Sequence, residues 1–282
     1  MTTARRPALF VSHGAPTIAI EDDAYTRTLR EYGHSLAGAR AVAIVSAHWE
    51  APPPPRVNAV VRPEPIYDFG GFPRQLYTMR YDAPGDPELA REIAALVGGA
   101  LETSRGWDHG LWVPLHVMLR DNPIPAVEIS LPKGVPPREL LAVGRALGVL
   151  RDRGVVVAGS GGIVHNLRML NASPADWAAE FDGWVWEKIV ARDFETLAEY
   201  RTKAPHVSLA VPTPEHFEPL FVALGASRAD DELVSVFAGF QYATLSMRTF
   251  AFGGGTPPIR PAGRRRDLDG HRFETESDPP GP

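Results

Sequence analysis

The ten residues 41–50, AVAIVSAHWE, decide how this sequence folds. Five apolar or small residues in a row are typical of a buried strand, and His48 follows near its carboxyl end. Similar stretches occur at PALFVSHG, which reaches His13, and at GVVVAGSGGIVHN, which reaches His165. Three strands that each deliver a histidine predict a metal site at one edge of a parallel sheet.

Composition is that of an ordinary globular protein without a strong charge. The chain has 282 residues, of which 44% are hydrophobic and 22% charged, and its formal net charge is −5. This charge gives no electrostatic basis for binding nucleic acid or an anionic membrane. The chain has no cysteine, which excludes disulfides, thiolate catalysis and cysteine-bound metal sites. Any metal must therefore be bound by histidine, aspartate or glutamate.

The beginning of the sequence contains no recognisable targeting segment. MTTARRPALF passes from a short basic lead directly into the first predicted strand, without the apolar region of a signal peptide. No apolar run approaches the ~20 residues that a membrane-spanning helix needs. We therefore expect a cytoplasmic protein that binds neither a membrane nor nucleic acid.

Predicted strands and helices alternate along most of the chain. Strands are predicted at 7–13, 41–50, 124–132 and 154–162, helices at 23–37, 87–98, 136–152 and 213–226, one or two helices within 174–202, and terminal strands within 234–253. This alternation predicts a single α/β domain, residues 1–255, with a central, mostly parallel sheet flanked by helices. Residues 256–282 are rich in proline, glycine and charge, which predicts a disordered C-terminal tail.

Residues 64–88 interrupt this alternation with an irregular segment rich in aromatic side chains. The segment contains three tyrosines, two phenylalanines, three glycines and four prolines. Aromatic residues need a surface to pack on, so we expect a folded wall or lid. A second such stretch, RGWDHGLWVPLHVML, is predicted to run from a loop into a short helix.

Open α/β sheets bind ligands beyond the carboxyl ends of their strands, where His13, His48 and His165 are predicted to lie. Any one of them alone is equally typical of a polar residue hydrogen-bonded to a loop. Together they favour a shared site. His216 is predicted in the first turn of a helix and remains a metal candidate on spacing alone, whereas the neighbouring Glu215 is more typical of a residue that complements the helix dipole.

His109 has two equally plausible roles, since it lies in the Gly/Trp-rich stretch and could orient an aromatic substrate or fill the loop. Competing motifs are weak. The sequence GSGG at 159–162 lacks the lysine of a phosphate-binding P-loop and does not fit GxGxxG. Ser160 does not occur in a GxSxG elbow, so the local signal of a serine hydrolase is missing.

Six stretches together carry a family resemblance: FVSHGAP (10–16), SAHWE (46–50), YDFGGFPRQLYTMRYDAPG (67–85), WDHGLWVPL (107–115), GSGGIVHNL (159–167) and PTPEHFEPL (212–220). With them the sequence resembles the class III extradiol ring-cleavage dioxygenases, specifically the 4,5-DOPA extradiol dioxygenase branch of the LigB-like superfamily. The resemblance implies a LigB-like fold that cleaves a catechol-type, DOPA-like aromatic diol with O2 to a ring-opened muconic semialdehyde.

The resemblance also implies a set of site residues. The metal would be bound by His13, His48 and His216, with His165 close to the ion as a further ligand or as the acid/base group. A histidine thus stands where the wider class has glutamate. Fe(II) would be needed for turnover, and Zn(II) could occupy the same site in the isolated protein. His109 would hydrogen-bond the substrate or O2.

A flat aromatic substrate needs flat side chains to pack against. The resembling stretches provide Tyr67, Phe72, Tyr77 and Trp112 as predicted substrate-binding residues. Two alternatives remain open at this point. One is a zinc hydrolase that uses an activated water at the same histidines. The other is a non-catalytic interaction module. The sequence predicts no oligomeric state.

Overall fold

A computed structural model describes residues 5–170 and 175–254 of the chain. The strands in these ranges are β1 (Ala8–Ser12), β2 (Ala41–Ala51), β3 (Arg56–Asn58), β4 (Ala100–Glu102), β5 (Ala126–Pro132), β6 (Val155–Gly161), β7 (Leu233–Phe237), β8 (Phe240–Gln241), β9 (Leu245–Ser246) and β10 (Thr249–Phe252).

The helices in the same ranges are α1 (Ala24–Ser35), α2 (Pro87–Val97), α3 (His109–Leu119), α4 (Pro137–Leu147), α5 (Asp176–Val190), α6 (Phe194–Ala198), α7 (Tyr200–Lys203), α8 (Val207–Ala210) and α9 (Pro219–Ala226). Within the described part of the chain, no helix has both the length and the apolar character that crossing a bilayer would require.

One large sheet forms the centre of the molecule, with the strand order β4-β3-β5-β2-β6-β1-β10-β7. Its four central strands, β5, β2, β6 and β1, pair in parallel. Strands β10 and β7 continue the sheet in antiparallel orientation, so the predicted terminal strands form one edge. The prediction of a single α/β domain with a mostly parallel sheet is confirmed.

Both faces of the sheet are covered, and β2 contributes side chains to the hydrophobic core on each face. Ala43 and Val45 pack into the core that includes α2, α4, α5 and α9. Val42 and Ile44 point the other way, into the core that includes α1 and α3. Successive side chains of a strand alternate between the faces of a sheet, so a strand covered on both sides must be apolar throughout.

Strand β2 is longer than predicted and is irregular where it reaches the site. Its pairing with β5 shifts register between Ser46 and Glu50. A shift of this kind lets a strand continue while it turns a side chain out of the regular alternation. His48 lies inside this shift, and its ring therefore faces the carboxyl edge of the sheet.

The predicted helix 213–226 begins later than the sequence pattern indicated. Helix α9 starts at Pro219, and His216 lies in the turn before it instead of in the first helical turn. The carbonyl of His216 accepts a hydrogen bond from Gly162 N–H at 2.8 Å, and it is therefore not used in a helix. Pro219 has no N–H and could not have continued an earlier helix.

The helical region 174–202 consists of α5 followed by the short α6 and α7. The predicted tail, residues 256–282, lies outside the described residues.

Arg151 binds together four parts of the chain far from the histidines. Its fully buried guanidinium donates to the carbonyls of Arg6, Ala226 and Phe252 and forms two hydrogen bonds with Asp231, at 2.7 and 3.0 Å. All five of its N–H donors have acceptors. The segment before β1 and the end of β10 are therefore joined through one side chain.

Replacing Arg151 with methionine should lower the free energy of unfolding by about 3–5 kcal/mol, because it leaves the Asp231 carboxylate buried without its main partner. Urea denaturation would measure the loss. Arg138→Met is the matched control, since Arg138 is exposed and pairs at the surface with Glu195 and Glu199. A surface pair contributes about 0–1 kcal/mol. Equal losses in the two variants would contradict the role assigned to Arg151.

Candidate metal centre

Three histidines from separate elements meet at the carboxyl edge of the central strands. His13 follows β1 directly, His48 lies in the irregular part of β2, and His216 lies in the turn before α9. One ring nitrogen of each lies within 4.8 Å of the others, and the Nε2 atoms of His13 and His48 are 3.1 Å apart. The sequence expectation that these histidines come together agrees with this geometry.

The hydrogen bonds of His13 define which of its ring nitrogens is free. Ser160 Oγ donates to the Gly110 carbonyl at 2.5 Å, which uses its only proton. The same oxygen lies 3.0 Å from His13 Nδ1 and must accept there. Nδ1 of His13 therefore carries a proton, and Nε2 presents a lone pair towards His48 and His216.

Asp68 plays the corresponding part for His48. Its Oδ2 lies 3.3 Å from His48 Nδ1, while its Oδ1 accepts from His109 Nδ1 at 2.8 Å and from the His109 backbone N–H at 3.1 Å. Burial acts to raise the pKa of Asp68, but the His109 hydrogen bonds and the two histidines hold it below its usual value. A carboxylate only accepts, so His109 donates from Nδ1, and the negative charge of Asp68 favours a proton on the facing Nδ1 of His48 as well.

Glu215 orients the third ring. Its Oε1 lies 3.1 Å from His216 Nδ1 and accepts from Thr213 Oγ1 at 2.7 Å. Burial opposes ionisation of Glu215, yet these hydrogen bonds lower its pKa to about 2. The residue that the sequence favoured as a helix-dipole partner is therefore the hydrogen-bond acceptor of His216.

Burial keeps the imidazoles uncharged. It lowers the pKa of His48 to about 3 and that of His13 well below its usual value, and the neighbouring histidines act in the same direction. Two neutral rings that both donate from Nδ1 have nitrogen lone pairs facing each other across 3.1 Å. Lone pairs so close repel each other unless a cation attracts both. Three converging imidazole nitrogens therefore fit a divalent transition metal.

His165 lies beside this group and is not part of it. Its ring stacks on that of His216, with centroids 3.5 Å apart and planes 6° from parallel. Among the described residues, two groups of potential ligand atoms lie within 4.8 Å of one another, His13 with His48 and His216, and His48 with Asp68 and His109, and neither includes His165. Burial, followed by the charge of His216, lowers the pKa of His165 to about 3.

The irregular segment after β3 forms an aromatic wall next to the histidines. Phe69 is at its centre, with ring centroids 5.2 Å from Tyr77, 5.6 Å from Phe72 and 5.6 Å from His109. Tyr67 and Tyr77 lie 5.9 Å apart, and the Tyr67 hydroxyl donates to the Met79 carbonyl. The segment is thus folded on its own aromatic rings.

Trp112 lies behind this wall. It is fully buried, donates from Nε1 to the Ile66 carbonyl, and has ring centroids 6.1 Å from Tyr67 and 6.3 Å from Phe69. Tyr67, Phe72 and Tyr77 keep part of their surface exposed. Of the four predicted substrate-binding residues, Trp112 therefore supports the other rings instead of offering a face of its own.

A network of mostly buried charged side chains lies next to the metal-binding histidines. Asp108 accepts from Ser46 Oγ at 2.6 Å and from Arg105 at 2.9 Å, and Arg105 also lies 3.4 Å from the His48 carbonyl. Glu128 is fully buried beside it, and burial together with the charge of Asp108 raises its pKa well above the usual value. Burial thus favours the neutral form of Glu128, whose carboxyl oxygens have no hydrogen-bond partner among the described residues.

Sequence reasoning missed Asp68, Phe69 and Asp108, and it considered Ser160 only as a hydrolase nucleophile. Asp68 and Phe69 belong to the stretch YDFGGFP, which carries part of the family resemblance. The signal that could have identified Asp68 is an acidic residue enclosed by aromatic residues, where a solvated surface charge is unusual.

Fold and site together define an α/β metalloprotein whose imidazole ligands converge at the carboxyl edge of a mostly parallel sheet. The chain belongs to the LigB family, described as the catalytic LigB subunit of aromatic ring-opening dioxygenase, which matches residues 7–252. It is an extradiol aromatic ring-opening dioxygenase, and the prediction from the six motif stretches is confirmed. Membership of this family favours ring cleavage over the hydrolase and interaction-module alternatives.

Named relatives and a solved structure support this assignment over nearly the whole chain. Proteins called 4,5-DOPA dioxygenase extradiol from Beta vulgaris and Escherichia coli (strain K12) are each 36% identical, covering 88% and 90% of this chain and 96% and 97% of theirs. The crystal structure of an uncharacterized protein from Escherichia coli K12 is 32% identical with a TM-score of 0.75, covering 88% of this chain and 100% of that chain.

Replacing Ser160 with alanine should weaken Zn(II) binding about 10-fold or more, because the His13 Nδ1–H loses its acceptor and the ring its fixed orientation. Competition with a chromophoric chelator would measure the dissociation constant. Ser130→Ala is the control, since Ser130 is also fully buried but accepts from the Arg56 backbone N–H instead of a histidine. Unchanged Zn(II) affinity in Ser160→Ala would refute this reading of His13.

Proposed function

We propose that this dioxygenase cleaves a catechol-type substrate with a DOPA-like side chain, using Fe(II) bound by Nε2 of His13, His48 and His216. The observation that carries the proposal is the convergence of three imidazole nitrogens within 4.8 Å of one another. The relatives from Beta vulgaris and Escherichia coli support the substrate class, since both are named for 4,5-DOPA.

Iron would supply the electron transfer between an aromatic diol and O2 that no side chain can perform. Three histidines also bind Zn(II) well, but zinc has no accessible redox chemistry. The protein's own contribution is to hold the three rings through acceptors that face their Nδ1 atoms and, by burial, to disfavour the charged forms of His13 and His48.

His165 is the proposed acid/base group for the substrate hydroxyl. An acid/base group works best with a pKa near the operating pH, whereas burial lowers the pKa of His165 to about 3 in the protein without substrate. The anionic oxygens of a bound catechol would raise this pKa, because an opposite charge stabilises the imidazolium form. His165 would then accept the proton only when substrate is in place.

His109 and the aromatic wall would hold the substrate ring. With its Nδ1 proton donated to Asp68, His109 presents Nε2 as an acceptor for a substrate hydroxyl. Tyr67, Phe72 and Tyr77 offer partly exposed rings on the same side of the site. A flat aromatic ring packs well against such faces, since offset and edge-on ring contacts are favourable.

Protein reconstituted with Fe(II) should consume O2 and convert at least one member of a catechol panel to a yellow ring-opened product. The panel would include catechols with and without an amino-acid side chain, followed by oxygen electrode and absorbance. The same protein loaded with Zn(II) is the control and should be inactive. If fully iron-loaded protein leaves every catechol intact, the proposed function is lost.

His165→Ala should reduce turnover by about 100-fold or more, as expected for loss of an acid/base group, while metal affinity stays close to that of the wild type. Turnover and Fe(II) affinity would be measured on the same preparations. His34→Ala is the control, since His34 is exposed on α1. A large loss of metal in His165→Ala would instead make His165 a ligand.

A further inference from the structure

We propose that Asp68 is a positioning residue that orients His48 and His109 together and thereby sets the affinity of the centre for its divalent metal. This inference rests on the proposed function for the roles of the two histidines. It concerns a residue that lies outside the strands and helices, in an irregular segment.

One carboxylate contacts both rings. Asp68 Oδ1 accepts from His109 Nδ1 at 2.8 Å, and Oδ2 lies 3.3 Å from His48 Nδ1. The rings of His48 and His109 are themselves adjacent, with centroids 3.9 Å apart. A single side chain therefore determines the orientation of a metal-binding ring and of a substrate-side ring at the same time.

The chemistry of a carboxylate decides the tautomer of both histidines. It has lone pairs and a negative charge, so His109 Nδ1 is the donor in their hydrogen bond, and a proton on the facing Nδ1 of His48 is favoured by attraction to the carboxylate. Each Nε2 is then left as an acceptor, in His48 towards His13 Nε2 and in His109 on the side of the ring away from Asp68. Histidines that bind metals commonly depend on such an acceptor for orientation and basicity.

Asp68 is also anchored at a defined point of the fold. The backbone N–H of His109, the first residue of α3, donates to Oδ1 at 3.1 Å. This N–H is one that the helix itself cannot use, and the helix dipole favours an anion there. The anchor makes the carboxylate a fixed point between α3 and β2.

The contacts of Asp68 with the two histidines have an alternative interpretation, in which the three residues bind a second metal ion. His48, Asp68 and His109 have potential ligand atoms within 4.8 Å of one another, and two histidines with one carboxylate can bind iron. However, His48 can offer its Nδ1 to a second ion only after losing the Nδ1 proton. The 2.8 Å contact with His109 is a hydrogen bond and the 3.3 Å contact with His48 lies within ion-pair distance, so both favour the positioning role.

Asp68→Asn tests the proposal, because an amide keeps the shape but replaces one acceptor oxygen with an NH2 donor. The new NH2 group and one histidine Nδ1–H are then two donors that face each other, so that histidine must change its tautomer or its orientation. We expect Zn(II) affinity, measured by chelator competition, to fall about 10–100-fold. Asp82→Asn is the matched control, since Asp82 lies in the same segment, is largely exposed and, within the described part of the chain, lies within 4.0 Å of Arg80 alone among charged groups.

Nitrogen NMR of histidine-labelled, metal-free protein provides a second measurement, the tautomer of each ring. If Asp68 had only a structural role, its replacement would not change these tautomers. The wild type and Asp82→Asn should show the Nδ1–H tautomer for His48 and His109, and Asp68→Asn should lose it for at least one of them. Unchanged tautomers and unchanged Zn(II) affinity in Asp68→Asn would overturn the proposal. Binding of two ions by the wild type and one by Asp68→Asn would also overturn it, in favour of a second metal site.

Catechol cleavage by the iron-loaded wild type separates this inference from the proposed function. A wild type that binds metal in an Asp68-dependent way but cleaves no catechol would remove the proposed substrate and leave the role of Asp68 intact. A wild type that cleaves catechol while Asp68→Asn retains full metal affinity and both tautomers would support the proposed function and remove the role of Asp68.

Discussion

The imidazole rings at the carboxyl edge can be this close only while they are uncharged. Two unit charges 4 Å apart repel by about 4 kcal/mol at an effective dielectric constant of 20. The rings of His13, His48 and His216 have centroids 4.8–5.3 Å apart, and His165 stacks on His216 at 3.5 Å. Burial removes the water that would stabilise imidazolium, and acceptors at Nδ1 then decide which nitrogen keeps its lone pair.

The parallel sheet meets this requirement through the position of β6 between β1 and β2. Ser160 is paired with Val11 on one side and with Ser46 on the other, one strand carrying His13 and the other His48. A hydroxyl at that point can accept from His13 and still donate to the Gly110 carbonyl. The centre of the sheet thus supplies both the ligands and an acceptor that orients one of them.

The sequence could predict those features that depend on residues close together in the chain. Apolar runs ending in histidine predict strands and their carboxyl ends, so His13 and His48 were within reach. The start of α9 was not, because it depends on the contact of the His216 carbonyl with Gly162, which is distant in sequence. Asp68 lies in a segment without periodicity, and its partners are known only after folding. Glu128 occurs within an apolar strand and gives no sign of its neighbour Asp108.

The aromatic wall has a consequence for how this enzyme could diversify. Its rings pack mainly on one another, on a segment separate from the strands that carry the metal ligands. Mutations at Phe69, Phe72 or Tyr77 could therefore reshape selectivity without disturbing the sheet. Asp68 lies between these positions and contacts His48. Under selection for new aromatic substrates, variation should accumulate on both sides of position 68 while the aspartate itself persists.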